Sequence, residues 1–256
     1  MDRDHAPPCL RGSGESGLGA IVLAANGLSH RRGDTLGRLL AATNTPPPDA
    51  PGTAPGTVWA LDNIERAGRI VALLQALDRL DRIGAPYGFG PGAERRAVDR
   101  LAAGLRLLND PKSAAPTPCS ATLRYLARDW VELFGPAVGD VSLATDIERL
   151  ALPALKGRAL LLAASTLILD ALCAGIAHPG RVGMVVSLHR FSDAYACLSV
   201  ADDRPPLSAT RSGAACAGLV AVLDGHFACR PATGGGTLRD VMFPLIALPP
   251  QPRRPR

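Results

Sequence analysis

Four residues near the start of the chain have the types and spacing for group transfer: His30, Arg31, Arg32 and Asp34. A histidine offers an unprotonated ring nitrogen near neutral pH, a nucleophile able to take a phosphoryl group. Asp34 follows four residues later, so on a helix it shares the face of His30, and its carboxylate can fix the imidazole tautomer. Arg31 and Arg32 are placed to neutralise an incoming phosphoryl group. A second set lies far along the chain. Asp202 and Asp203 close an alternating apolar run, and Gly234, Gly235, Gly236 and Thr237 precede the last such run. The plain alternatives are a surface histidine in an Arg-rich helix, a carboxylate turn or cap, and a glycine loop before a strand.

Other chemistry has less to build on. The six cysteines (Cys9, Cys119, Cys173, Cys197, Cys216, Cys229) form no CxxC pair and do not cluster with the five histidines, so neither a metal site nor a disulfide framework is expected. Cys173 and Cys197 sit amid apolar residues and read as core thiols; His178, His189 and His226 lack partners at ligand spacing and read as structural. The net charge of +5 comes from 28 basic residues, of which only Lys112 and Lys156 are lysines. The arginines alternate with carboxylates, as in Asp62 to Arg66 and Asp78 to Arg82, and aromatics are 4% of the chain, so a nucleic-acid surface is not expected.

The elements that must position these residues follow from periodicity. With 256 residues, 47% hydrophobic and 20% charged, the chain can bury a core, whereas 27 glycines and 23 prolines imply tails and linkers. Residues 1–17 and 249–256 read as flexible tails. Helical spacing predicts one helix from Leu18 to Ala42 and a second from Val58 to Ile83, joined by a proline-rich loop as an antiparallel hairpin. The hairpin's apolar stripe has no local cover, which predicts either a dimeric four-helix bundle or packing on the next domain. Further helices are expected at Ala93–Leu108 and Thr122–Phe134, before and after a Pro111–Pro118 linker.

Beyond Val141 the period changes. A strand or two to Ala151, a helix Pro153–Ala177, strands Val182–Phe191 and Ala194–Ala201, a short helix Gly213–Leu223 and a closing strand Thr237–Leu248 make an α/β sandwich. The fold class is α+β, with a helical unit over 18–110 and a sandwich over 119–248. Ala159–Ala177 is apolar except for Ser165, Thr166 and Asp170; a central Asp costs roughly 3 kcal/mol in a bilayer, so a core helix is expected rather than a membrane span. No basic-then-apolar leader opens the chain, and a cytoplasmic location is expected.

The order helix, strand hairpin ending in Asp-Asp, short helix, Gly-Gly-Gly-Thr and final strand resembles the ATP-binding domain of the GHKL class, the Bergerat fold of histidine kinases. The text "LSHRRGDTLGRLL" from Leu28 to Leu40 is similar to the phosphoacceptor box of the second dimerisation-domain class and its HWE relatives. There His30, Arg31 and Leu36 match, and Asp34 stands at the amide position. The resemblance implies phosphate chemistry at His30 with Asp34, and nucleotide contacts at Asp202, Gly235, Gly236 and Thr237, with Thr237 on Asp202 or an adenine.

The departures from that pattern bear on ATP. Ala171 and Gly175 stand where the class has a general-base Glu and a magnesium-binding Asn, Arg204 replaces the glycine two residues after Asp202, and the phosphate lid is reduced to Gly213 and Gly218. Phosphoryl transfer from ATP then lacks its magnesium ligand, so no cofactor is expected beyond a degenerate site that binds ATP and magnesium weakly or not at all. The resemblance implies a two-component signalling protein, either a histidine phosphotransferase or a degenerate kinase, exchanging phosphate between His30 and a response-regulator receiver domain, as a homodimer. The alternatives are a non-catalytic pseudokinase module that regulates a kinase or regulator, and a divergent active histidine kinase.

Overall fold

The computed structural model describes residues 21, 23–43, 55–84, 92–108, 117–178, 180–205, 209–232 and 234–245. The tails expected at 1–17 and 249–256, the proline-rich loop over 44–54 and most of the linker before Pro118 lie outside the described residues.

The helices are α1 (His30–Thr43), α2 (Pro55–Arg82), α3 (Ala93–Leu108), α4 (Cys119–Val138), α5 (Ala154–Ala177) and α6 (Ala209–Val222). The strands are β1 (Thr117–Pro118), β2 (Val141–Ile147), β3 (Ala151–Leu152), β4 (Val182–Arg190), β5 (Tyr195–Asp202), β6 (His226–Pro231) and β7 (Thr237–Pro244). β1 and β3 form a two-residue antiparallel ladder; the others form one sheet in the order β2-β4-β5-β7-β6. β2 runs parallel to β4, and every other pairing in that sheet is antiparallel. The α+β class read from the sequence is the class observed.

The single first helix expected from Leu18 to Ala42 is broken. Residues 23–26 are helical, the chain turns at Gly27 and Leu28, and α1 begins afresh at His30. The cause is long-range: the Ser29 amide and hydroxyl both donate to the carboxylate of Asp78 on α2, at 2.8 and 2.7 Å. Ser29 then offers its carbonyl to the amide of Gly33 (2.9 Å), the first hydrogen bond of the new helix. His30 therefore stands at a helix start rather than in a helix interior.

The expected bare stripe is also covered. On α2, Ile70, Val71, Leu73, Leu74 and Leu77 are buried, and the helix packs against α1, α4, α5 and α6. The rest of the same chain, one of the two partners the amphipathic pattern allowed, packs on these residues.

α5 is the central helix. It carries seventeen buried residues, and 83% of its most apolar window is inside the fold. By length and composition it is the one helix among the described residues able to cross a membrane, and here it is a core helix. The sheet turns one face inward: Val182, Met184, Val186 and Leu188 of β4, Ala196, Leu198 and Val200 of β5, and Val241 and Phe243 of β7. The period-2 alternation places Tyr195, Cys197 and Ser199 on the other, more open face, as the sequence predicts.

Candidate functional site

Burial fixes which way α1 faces. Arg32, Thr35, Leu36, Leu39 and Ala42 recur at helical spacing and are buried, so His30, Asp34 and Arg38 turn outward. The His30 side chain is 97% exposed, and its Nε2 lies 3.8 Å from Oδ2 of Asp34. That distance is beyond hydrogen-bond reach, and with both chains exposed a small rotation of either closes it. Around them is an open cavity of ≈ 1100 Å³ between α1 and the start of α3, lined among others by His30, Arg31, Asp34, Arg38, Glu94 and Arg95.

The two arginines beside His30 do not act alike, which corrects the expectation that both face a phosphoryl group. Arg32 is 3% exposed; it bonds Glu94 of α3 and Asp81 of α2 (2.8 Å) and lies 3.7 Å from Asp78. It is a buried tie that holds α1 to α2 and α3. Arg31 is more open but bonds the other oxygen of Glu94. Arg38 is likewise paired, with Asp99 of α3.

The second set of residues meets where β5 ends and β7 begins, with Asp202 and Thr237 directly opposite each other. Gly234 and Gly235 have φ of +100° and +93°, a backbone region that side chains rarely adopt. A Cβ on Gly236 would collide with the carbonyl oxygen of Asp202. The three glycines thus serve the turn itself. Thr237 is buried and donates to the carbonyl of Arg204 at 2.7 Å, not to Asp202.

Both oxygens of Asp202 are bonded by protein. One oxygen accepts the Arg204 amide at 2.8 Å, and the other bonds Nη1 of Arg239, which is 1% exposed. Nε of Arg239 donates to Asp170 on α5 at 2.9 Å, and the other oxygen of Asp170 accepts from Arg69 on α2 at 3.2 Å. A line of alternating charges, Arg69–Asp170–Arg239–Asp202, therefore runs from the hairpin to the sheet. Burial pushes the Asp202 carboxyl above its usual range, and Arg239 pulls it back. The side chain expected to fill this space, Arg204, instead reaches the carbonyl of Arg181 at 2.7 Å.

Around this carboxylate, Arg239 supplies the paired cation, Ala171 is buried, and a Cβ at Gly175 would collide with Val138 of α4. Among the described residues no group of three His, Cys, Asp or Glu side chains is arranged to hold a metal ion. Burial pushes the Cys119 thiol up to about 11 and that of Cys216 up to about 12, and raises Cys197 and Cys229, which disfavours the nucleophilic thiolate at each.

Sequence reasoning did not assign Asp170 and Arg239 to this site. A signal existed: Asp170 is the only charge in the apolar stretch Ala159–Ala177, and Arg239 shares the inward register of Val241 and Phe243. Two opposite charges each forced into a core must find partners.

No protein-family model and no curated protein matches the sequence. Among solved structures, the chain is similar to the histidine kinase domain of a blue-light activated histidine kinase from Erythrobacter litoralis. The TM-score is 0.48 at 14% identity, over 85% of this chain and 95% of that one. It is also similar to a mycobacterial sensor histidine kinase (TM-score 0.40, 13% identity, 51% and 97% of the two chains). A third is a bacterial phosphotransferase (TM-score 0.37, 12% identity, 84% and 97%).

Proposed function

We propose that this is a two-component histidine phosphotransfer protein that accepts a phosphoryl group on His30 from a phosphorylated receiver-domain aspartate, and returns it to another, without using ATP. One observation supports it above others: an exposed imidazole with a carboxylate neighbour opens onto a large cavity, while Asp202, where the resemblance implies a nucleotide contact, is bonded by Arg239.

In this reading the lone pair of the unprotonated ring nitrogen attacks phosphorus, and the N–P bond forms. The P–O bond to the donor aspartate breaks, its electron pair remaining on that carboxylate. The proton on the opposite ring nitrogen stays there, where Asp34 can accept a hydrogen bond from it once either side chain rotates. Return transfer reverses each step. The helix start beneath His30 favours the added negative charge. Such exchange belongs in the cytoplasm, and it does not require a second copy of the chain.

A non-catalytic module that binds a regulator through the same face is the second reading. Its supporting observation is that the 3.8 Å gap leaves His30 without a partner that fixes its ring. The two are separated by incubating wild type and His30→Ala with a phosphorylated receiver. Transfer that is lost in His30→Ala supports the phosphotransfer reading; equal regulation by both proteins, with no phosphate on either, supports the module.

A further inference from the structure

Resting on that phosphotransfer reading, we infer that Arg95 is the residue that binds and positions the phosphoryl group carried by His30. Three arginines line the cavity together with His30: Arg31, Arg38 and Arg95. Arg31 is committed to Glu94 and Arg38 to Asp99, so each brings its own neutralising carboxylate from α3. Arg32, adjacent in sequence, is buried among Glu94, Asp81 and Asp78. Arg95 is exposed and forms no ion pair among the described residues.

The placement of Arg95 is itself held. It follows Glu94, whose 5% exposed carboxylate is clamped by Arg31 and Arg32, so the first turn of α3 is fixed against α1. A guanidinium extending from that turn presents a planar fork to a phosphoryl group and neutralises part of its charge while the N–P and P–O bonds exchange. Arg95 therefore touches the transferred group, whereas Arg31 and Arg32 act only by holding α3 in place.

The test uses the full chain, with phosphoramidate as phosphoryl donor and ³¹P NMR as the readout. In wild type a phosphohistidine signal is expected that is absent in His30→Ala. In Arg95→Gln its rate of appearance is expected to fall about tenfold, the loss of one charged hydrogen bond. The phosphoryl resonance should also titrate at higher pH in this variant, because a neighbouring cation no longer favours the dianion. Arg95→Lys should restore most of the titration shift and part of the rate. Since Arg95 is exposed, the melting temperatures should match. Arg95→Gln with wild-type rate and titration overturns the inference while the phosphotransfer reading stands. No phosphate on His30 of the wild-type protein overturns both.

Discussion

Arg239→Met removes the one cation bonded to Asp202 among the described residues and leaves that carboxylate, whose side chain is 0% exposed, in the core with the Arg204 amide as its remaining donor among them. Asp170 suffers less, because Arg69 still reaches it at 3.2 Å. Removing one partner of a buried ion pair costs about 3–5 kcal/mol, a large share of the roughly 5–15 kcal/mol that holds a domain folded. With a urea m-value of about 2.5 kcal/mol/M, the midpoint should fall by roughly 1–2 M.

The loss should depend on pH in a defined direction. Burial already raises the folded-state pKa of Asp202, and Arg239 is what opposes the rise. A carboxyl whose folded pKa lies above its unfolded value contributes stability that is present below the unfolded pKa and lost as pH rises through the folded one. Without Arg239 that window extends upward, so the variant should be more impaired at pH 8 than at pH 5, toward which the protonated carboxyl is increasingly favoured. Arg239→Met/Asp202→Asn should recover most of the stability at pH 8, since no charge is left unpaired. Urea titrations of the three proteins at both pH values test this. A midpoint shift equal at pH 5 and pH 8, or a double variant no more stable than the single one, refutes the reasoning.

The two neighbouring arginines should separate cleanly. Arg32→Ala removes the buried cation shared by Glu94, Asp81 and Asp78 and should cost about 3 kcal/mol, while Arg31→Ala, at a more open pair, should cost under about 1 kcal/mol, both read from urea midpoints. Asp34→Ala should slow phosphate uptake by His30 by about fivefold at most, the value of an exposed pair of ~1 kcal/mol, without abolishing it. Gly37 lies inside α1 on the cavity side, where an added Cβ meets nothing within 4 Å. Gly37→Ala should therefore raise stability by about 1 kcal/mol, or about 2–4 °C in melting temperature. A slower transfer from a protein donor in the same variant, with uptake from phosphoramidate unchanged, would locate the docking surface on that side of α1.

Local patterns carried much of the architecture. Ala93–Leu108 has the same limits in sequence and structure because its apolar positions, Ala97, Val98, Leu101, Ala102 and Leu105, recur at helical spacing and all face the core. α5 and the β4–β5 pair were readable from an unbroken apolar run and from strict alternation. The break at residues 27–29 was not, because its cause, Asp78, lies 49 residues away from Ser29. β6 was missed as a strand: it is a short edge strand whose side chains are only half-buried, so neither face shows an apolar period. In the site, His30 and Asp34 were visible as an i, i+4 pair, and Asp202 as a strand-end carboxylate. The opposite roles of Arg31 and Arg32 were not, since which one turns inward depends on Glu94, 62 residues beyond Arg32.

The most direct test of the account is the source of the phosphate on His30. The wild-type chain is incubated in parallel with magnesium-ATP and with a phosphorylated receiver domain, and the modified residue is located by mass spectrometry at neutral pH. The expected result is phosphate on His30 from the receiver and none from ATP. Phosphate gained from ATP, or from the receiver on any residue other than His30, would contradict it.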